Sequence, residues 1–345
     1  TVKVTAKSSS GAAISKSIDI TVTVAMKLVW SDEFDTPGAP NSNKWGYDIG
    51  ASGWGNNESQ YYTDRRDNSY VTDGTLKIVA KKEAFSSSQY TSARLLSKGK
   101  YSFKYGKVEV RAKLPVGVGT WPAIWMLGDN ISTVSWPACG EIDMMEHGIF
   151  PNQDINYIKS SLHTPCCYAG NPNGGGTIAS DLENDFHVYS LNWSPDQITF
   201  LLDGVGYYTY NPAVKDDSTW PFYEDQFVLL NMAMGGIAGN IPSGFDQASM
   251  LIDYVKVYQQ GELNMGANLD LEDTVSVYPN PASTIINLST TLPLSGIEVY
   301  DVFGKLLFTK EKDLTRIDVK EYTPGVYFIV ISSNNQQIVK KVIVN

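Results

Sequence analysis

The sequence lacks long hydrophobic segments. No run among its 345 residues approaches the roughly 18 consecutive apolar residues that a membrane-spanning helix needs. The N-terminal residues also lack the basic, apolar and small-residue regions of a signal peptide. We therefore expect a soluble chain from which any export signal is already missing.

Positive charge is scarcer than negative charge. The chain has 27 Lys and Arg against 37 Asp and Glu, a net charge of −10. Such a protein repels a polyanionic backbone, which disfavours nucleic acid as a partner but not a neutral polymer. Aromatic residues are plentiful, with 20 Tyr, 12 Phe and 8 Trp. That number exceeds the needs of a core and is typical of a protein that presents rings to a ligand such as a sugar.

Cysteine is also scarce. Cys139, Cys166 and Cys167 cannot all pair internally, and their spacing lacks the two CxxC halves of a zinc site. Two states stay open: a bridge from Cys139 to one of the other two, or free buried thiols.

Strong helical periodicity is missing as well. Short strand-like segments recur instead between Lys27 and Gln259, for example LKIVAKKE, YGKVEVRAKLP and MLIDYVKVY. This pattern predicts an all-β sandwich or barrel. The same block holds 26 acidic and 17 basic residues, so most of the net negative charge lies in it.

The length predicts more than one domain. Residues 1–25 alternate as two strands around a Ser/Gly turn and resemble the end of a bacterial immunoglobulin-like or PKD-like module, so we expect the remnant of an upstream neighbour. Residues 26–260 form the large domain. Residues 261–274 contain four acids and no base and are typical of a linker. Residues 275–345 predict six or seven strands in a small second sandwich.

Three carboxylates stand within six residues of one apolar segment. The stretch Cys139-Gly-Glu-Ile-Asp-Met-Met-Glu-His-Gly148 contains Glu141, Asp143 and Glu146. Side chains alternate along a strand, so Glu146 would leave the face that the other two acids share. One extra residue, a β-bulge at the two methionines, returns Glu146 to that face.

Two glutamates and an aspartate on one face fit a retaining glycosidase. In that scheme one carboxylate attacks the anomeric carbon, and a carboxylic acid about 5 to 5.5 Å away protonates the departing oxygen. Three acids packed together cannot all ionise at low cost, so we expect at least one raised pKa. The alternatives are a solvated acidic strand or a calcium site, although calcium loops prefer flexible, Gly- and Asn-rich spacing.

The motif Glu-Ile-Asp-Met-Met-Glu resembles the signature of glycoside hydrolase family 16, in the bulged form of laminarinase-like endo-β-1,3-glucanases. The resemblance covers about residues 27–259. It implies a concanavalin A-like jelly-roll β-sandwich with a concave cleft, and no cofactor for catalysis. It also implies Glu141 as nucleophile, Asp143 as its assistant and Glu146 as acid/base.

Further segments resemble the same family around a substrate cleft. They are WGNNESQYYT at 54–63, TSAR at 91–94, GTWPAIWM at 119–126 and SWP at 135–137. The aromatic platforms expected for the apolar face of a sugar, with core packing as the alternative for each, are Trp121, Trp125 and Trp136. The residues that the resemblance assigns to sugar hydroxyls are Asn57, Glu58 and Arg94. It also places His163 in the cleft near the acid/base.

The resemblance further implies a structural calcium ion on the convex side. The matching residues are Glu33, Gly74 and Asp253. Hard oxygen ligands suit calcium, and such an ion would stabilise the fold without taking part in chemistry.

Four C-terminal pieces resemble the C-terminal sorting domain of type IX secretion. They are VYPNP at 277–281, VYDVFGK at 299–305, PGVYF at 324–328 and KKVIVN at 340–345. The resemblance implies an immunoglobulin-like sandwich, contact with the type IX machinery, and a secreted or cell-surface protein. The alternative is a carbohydrate-binding sandwich, but this segment contains no Trp.

The leading hypothesis is a monomeric endo-acting hydrolase of laminarin-type β-1,3-glucan. Mixed-linkage β-1,3-1,4-glucan, agarose and carrageenan are alternative substrates. Strict mixed-linkage enzymes of the family usually have the unbulged motif, and sulfated galactans would favour a basic cleft. A non-catalytic glucan-recognition protein typically loses the acids, all of which persist here.

Overall fold

Almost all regular structure is β-strand, as the short alternating segments predict. A computed structural model describes residues 5–7, 13–15, 26–260, 275–302, 304–333 and 336–345. The chain divides into two compact units, Thr1–Gly261 and Glu262–Asn345. The helices among the described residues are two 3₁₀ turns, Asp129–Ser132 and Gly236–Ala238.

The first unit contains nineteen described strands. They are β1 Thr5–Lys7, β2 Ala13–Ser15, β3 Met26–Asp32, β4 Gly46–Tyr47, β5 Gln60–Tyr62, β6 Ser69–Thr72, β7 Thr75–Phe85, β8 Ser88–Ser92, β9 Arg94–Leu96, β10 Gly106–Lys113, β11 Thr120–Gly128, β12 Glu141–His147, β13 Tyr157–His163, β14 Asn173–Ile178, β15 His187–Trp193, β16 Ile198–Leu202, β17 Val205–Tyr210, β18 Gln226–Met234 and β19 Gln247–Gln260. The strands β1 and β2 pair antiparallel, as expected for the N-terminal segment. The rest of residues 1–25 lies outside the described residues, so their origin in an upstream module stays a prediction.

Two large sheets form a jelly-roll sandwich. The ten-stranded sheet has the order β17-β16-β15-β10-β19-β7-β8-β5, with β3 on β19 and β6 on β7. The seven-stranded sheet has the order β14-β13-β12-β11-β18-β9-β4. Alternation along the strands builds the core between them: Val108, Val110 and Ala112 of β10 are fully buried, as are Ile124 and Met126 of β11.

The second unit is a smaller β-sandwich with its own core. Its strands are β20 Val275–Tyr278, β21 Ile285–Thr290, β22 Gly296–Tyr300, β23 Leu306–Lys310, β24 Arg316–Asp318, β25 Gly325–Ser333 and β26 Gln336–Val344. They form one sheet in the order β20-β21-β24 and one in the order β23-β22-β25-β26. The core includes Ile286, Ile297, Ile329 and Ile331. The expected linker, 261–274, lies outside the described residues.

The three cysteines are free. Because Cys139 is free, the alternative of a bridge from Cys139 is not realised, and its thiol is fully buried. The expectation of buried thiols is wrong for Cys166, which is exposed because it lies in the turn between β13 and β14 at the protein surface.

Candidate active site

A β-bulge in β12 brings the three acids to one face. Trp125 of β11 pairs with Asp143, but the preceding residue, Ile124, pairs with Met145. The register with β13 shifts at the same place, between Asp143 and Glu146. One methionine is therefore extra, and Glu146 returns to the face of Glu141, which confirms the bulge expected from the sequence.

The opposite face of β12 explains why this segment folds as a strand. Ile142, Met144, Met145 and His147 are all between 0% and 1% exposed and face the core. His147 Nδ1 lies 3.0 Å from the Tyr157 carbonyl, so this histidine belongs to the interior and not to the cleft. The buried face anchors the strand and holds the acids outward on a rigid element.

Glu141 accepts a hydrogen bond from one ring nitrogen and lies near a second. Trp136 Nε1 donates a hydrogen bond of 3.0 Å to Oε2, and His163 Nε2 lies 3.6 Å from Oε1. Burial raises the pKa of Glu141 to about 8, and the charges of Asp143 and Glu146 add to the shift. The electrostatic effects of His163 and Arg94 oppose it. Glu141 therefore keeps a proton more easily than a free carboxyl does.

Asp143 lies between the two glutamates in sequence and is 4% exposed. Its Oδ2 is 3.1 Å from His163 Nε2. The Ala169 amide donates to His163 Nδ1 at 3.1 Å, so the histidine accepts at Nδ1 and donates from Nε2 toward Asp143. Burial, followed by the charge of Glu146, raises the pKa of Asp143 well above its usual range. The three acids therefore carry fewer than three charges near neutral pH.

Glu146 has a separate set of partners. Trp121 Nε1 donates to Oε1 at 3.2 Å and Ser161 Oγ donates to Oε2 at 3.3 Å. Burial raises the pKa of Glu146, while the positive charge of Lys159, its cross-strand partner on β13, lowers it. Trp121 is 9% exposed, so it offers its N–H to the acid and very little ring surface to a ligand.

The neighbouring strands continue this face of the sheet. Trp125 donates from Nε1 to Asn231 Oδ1 at 2.7 Å. The Arg94 guanidinium lies 4.6 Å from the Trp125 ring centre and 4.9 Å from that of Trp54. Arg94 also pairs with Asp48 at 3.0 Å. The Trp125 ring is therefore half-buried beneath the Arg94 guanidinium. The Trp136 ring, in contrast, is 39% exposed and accessible from solvent.

Asn57 and Glu58 lie in the loop before β5. Asn57 is exposed and has a positive φ of 55°. Glu58 accepts hydrogen bonds from Gln60 at 2.6 Å and Tyr62 at 3.1 Å. A bridge from Glu58 to Gly235 fastens the loop beside the end of β18, next to the Gly236 backbone on which Trp121 packs.

The comparisons with known proteins decide the family. Residues 56–256, more than half of the chain, match glycosyl hydrolases family 16. The chain belongs to glycosyl hydrolase family 16. Enzymes of this family are retaining glycosidases that need no cofactor for catalysis.

Relatives of the family 16 unit are similar in sequence and structure. The chain is 42% identical over 247 residues to a beta-glucanase of Rhodothermus marinus, covering 68% of this chain and 85% of that protein. It is 36% identical over 264 residues to glucan endo-1,3-beta-glucosidase A1 of Niallia circulans, covering 68% and 38% respectively. The solved laminarinase of Rhodothermus marinus superposes with a TM-score of 0.65 at 40% identity, covering 69% of this chain and 99% of that one.

The C-terminal residues 276–345 match the secretion system C-terminal sorting domain. This domain indicates a secreted or cell-surface, extracellular protein. Among the described residues, no helix is long and apolar enough to cross a membrane.

Sequence reasoning missed several side chains that surround the acid cluster. They are Ser161 and Lys159 beside Glu146, Asn231 beneath Trp125, and Tyr168 against Trp136. Two-residue alternation from His163 back along β13 would have found Ser161 and Lys159. Asn231 had a signal too, as the one amide within the apolar run FVLLNMAM.

The segments expected to hold calcium come together along β19. Asp32, the residue before Glu33, pairs with Val255, and Leu76, two residues after Gly74, pairs with Ile252. The Asp253 carboxylate pairs with Arg111 at 2.5 Å and that of Glu33 with Lys256 at 3.1 Å. Elsewhere, Glu141, Asp143 and His163 form a group of three possible metal ligands among the described residues, in the acid cluster itself. His187 pairs with Asp203 at 2.7 Å, in keeping with a structural role.

Proposed function

We propose that the protein is a secreted, retaining endo-glycosidase that cleaves β-1,3-glucosidic bonds in laminarin-type glucans. The observation that carries the proposal is the pair of glutamates on one sheet face, each held by a different tryptophan N–H. The names of the relatives, a beta-glucanase, a glucan endo-1,3-beta-glucosidase and a laminarinase, support this substrate class.

In the proposed first step Glu141 attacks the anomeric carbon and Glu146 protonates the departing oxygen. Burial favours the neutral form of Glu146, as a general acid requires. The Trp121 and Ser161 donors fix the orientation of its carboxyl group. After the leaving group departs, Glu146 carries a charge that the nearby Lys159 favours, and it can then take a proton from water.

Glu141 must be ionised when it attacks. The Trp136 N–H donates to Glu141 and supports that negative charge, and the electrostatic effect of His163 also favours it. Burial and the charge of Glu146 raise the pKa of Asp143 well above its usual range, which favours its protonated form and spares Glu141 a second adjacent charge. We assign Asp143 and His163 the role of tuning the nucleophile.

Substrate binding follows from the exposed rim. Trp136 and Tyr168 are 39% and 46% exposed and meet edge to face at 5.4 Å, which suits the apolar face of a sugar ring. Asn57, Glu58 and Arg94 are the proposed hydroxyl ligands. Trp125 acts beneath them by fixing the position of the Arg94 side chain.

The test is reducing-sugar release from laminarin, lichenan, agarose and carrageenan side by side, with variants Glu141→Gln and Glu146→Gln. Glu183→Gln, at an exposed acid in the loop between β14 and β15, is the matched control. We expect laminarin to be the fastest substrate and both cluster variants to lose about a thousandfold or more in kcat. Proton NMR of the first product should show the β anomer. Faster release from another polymer would contradict the proposed linkage, and an α product would contradict double displacement.

We also propose that residues 26–260 are the catalytic domain, 261–274 the linker and 275–345 the sorting domain, and that the protein is a monomer. Light scattering after size exclusion tests the monomer.

A calcium ion, if bound, would be held by oxygens of Glu33, Gly74 and Asp253. Because Arg111 and Lys256 pair with the two carboxylates, the ion would compete with both. We expect calcium to raise the unfolding temperature of the wild type but not of Asp253→Asn.

A further inference from the structure

Two adjacent cysteines lie in the turn between β13 and β14. Cys166 is exposed and Cys167 half-buried, and their sulfur atoms are 2.7 Å apart. The backbone of the turn is closed by two hydrogen bonds between Thr164 and Cys167, of 3.0 and 2.9 Å. The Cys166 amide is tied to the Ser218 carbonyl at 3.0 Å. The turn thus holds two thiols side by side at the surface.

The residues that follow the two cysteines contact the side chains around the acid cluster. Ala169, two residues after Cys167, donates its amide to Nδ1 of His163. Tyr168, the residue between Cys167 and Ala169, packs edge to face on Trp136. The Trp136 N–H donates to Glu141. A change in the backbone at the two cysteines therefore reaches the exposed aromatic rim through one or two residues.

We propose that Cys166 and Cys167 are a redox modification site, at which a small-molecule disulfide converts the two thiols into a disulfide between adjacent residues and thereby loosens substrate binding at the rim. The Cys166 thiolate attacks the small disulfide RSSR and releases one RSH. The Cys167 thiolate then attacks the Cys166 sulfur and releases the second RSH. Two protein thiols are oxidised and one disulfide is reduced. An extracellular protein meets the oxidising conditions that this exchange needs.

The third cysteine differs from this pair in both exposure and pKa. Cys139 is fully buried, and burial raises the pKa of its thiol to about 11. The thiolate is the reactive form, so Cys139 is both inaccessible and almost entirely protonated at neutral pH. Of the three, Cys166 is exposed to a dissolved oxidant, with the half-buried Cys167 beside it.

The bridge closes an eight-membered ring that includes the peptide bond between the two cysteines. That ring restricts the same peptide that the turn hydrogen bonds now hold, so the turn must change shape and carry Tyr168 with it. Loss of the ring contact on Trp136 weakens binding more than it affects the acids. This consequence rests on the proposed function, because it is measured on laminarin. We expect KM for laminarin to rise about two- to tenfold and kcat to change less than about twofold.

The test treats the full chain with oxidised glutathione and compares it with the reduced protein. Intact mass should fall by two hydrogen atoms with no retained glutathione, and two thiols should disappear while one remains after denaturation. Cys139→Ala should respond as the wild type does. Cys166→Ser and Cys167→Ser should keep their KM unchanged under the same oxidant. Circular dichroism checks that each variant folds.

Three results would overturn the proposal. They are a glutathione adduct that stays on one cysteine, a completed bridge with unchanged KM, and an equal KM change in Cys166→Ser. If the reduced protein fails to hydrolyse laminarin, the proposed function fails, while the mass and thiol measurements still decide whether the bridge forms.

Discussion

Glu141 should make the folded protein less stable as the pH rises. Its pKa is about 8 in the folded protein and 4.5 ordinarily, so the folded state holds this proton more tightly than the unfolded state does. Between these two values the unfolded chain has released the proton and the folded chain has not. The free energy of unfolding therefore falls as the pH rises through this window, by up to about 1.36 kcal/mol per unit.

The size of the effect follows from the width of the window. With 18% of its side chain exposed, Glu141 is largely removed from water, and we take the full interval as an upper limit. The loss between pH 4.5 and 8 is then at most about 4 kcal/mol, a large part of the stability of an ordinary domain. In Glu141→Gln the amide has nearly the same shape and cannot ionise, so this loss disappears. Its carbonyl still accepts from Trp136, which limits other changes.

Urea unfolding followed by tryptophan fluorescence measures the difference. All eight tryptophans lie within residues 30–220, so the signal reports on the family 16 unit. We expect the variant to gain roughly 3 kcal/mol on the wild type between pH 5 and pH 8. Glu183→Gln, at an exposed site, should follow the wild type. Parallel curves for wild type and Glu141→Gln would refute the reasoning, since they would mean that Glu141 ionises as easily in the folded as in the unfolded chain.

Four further changes test the rest of the cluster. Lys159→Met removes the charge that lowers the pKa of Glu146. The basic limb of the pH profile of kcat/KM on laminarin should therefore shift to higher pH. An unchanged limb would exclude an effect of Lys159 on the pKa of Glu146. Trp136→Phe removes the N–H on Glu141, and kcat should fall about 10- to 100-fold, whereas an unchanged kcat would show that this donor is dispensable. Inserting one alanine after Met145, in a strand that keeps its bulge, puts Glu146 on the core face and should cost at least about a thousandfold in activity. Deleting Met144 instead restores regular alternation, and a deletion variant no more active than the insertion variant would contradict the parity argument.

Much of the site could be predicted because side chains alternate between the two faces along β12, apart from the bulge. Three acids and two methionines in six residues allow only a bulge if all the acids face one side, and the observed register shift lies there. The all-β fold was similarly accessible, because β10 alternates buried and solvent-facing residues without interruption.

The partners of the acids were harder to predict because they come from other strands. Asn231 lies more than a hundred residues from Trp125 and meets it only through the β11–β18 pairing. Trp121 was expected as a sugar platform, but its ring packs against Gly236, so that its N–H points to Glu146. Such contacts depend on the order of the strands in the sheet. That order is a property of the whole sheet and not of a local segment.

The stability cost at Glu141 and the proposed catalysis have one physical origin. The apolar side chains behind β12, such as Ile142 and Met145, fix the strand against the core and leave its acids in a partly dry face. In that environment a carboxyl close to two others favours its neutral form, which suits the general-acid role proposed for Glu146. The same environment raises the pKa of Glu141, which must be ionised to attack. The Trp136 hydrogen bond and the electrostatic effect of His163 oppose this shift at Glu141, so that a charge there costs less than burial alone would impose. Replacing the acids by neutral side chains would therefore stabilise the fold at high pH and remove the asymmetry between the two glutamates on which double displacement depends.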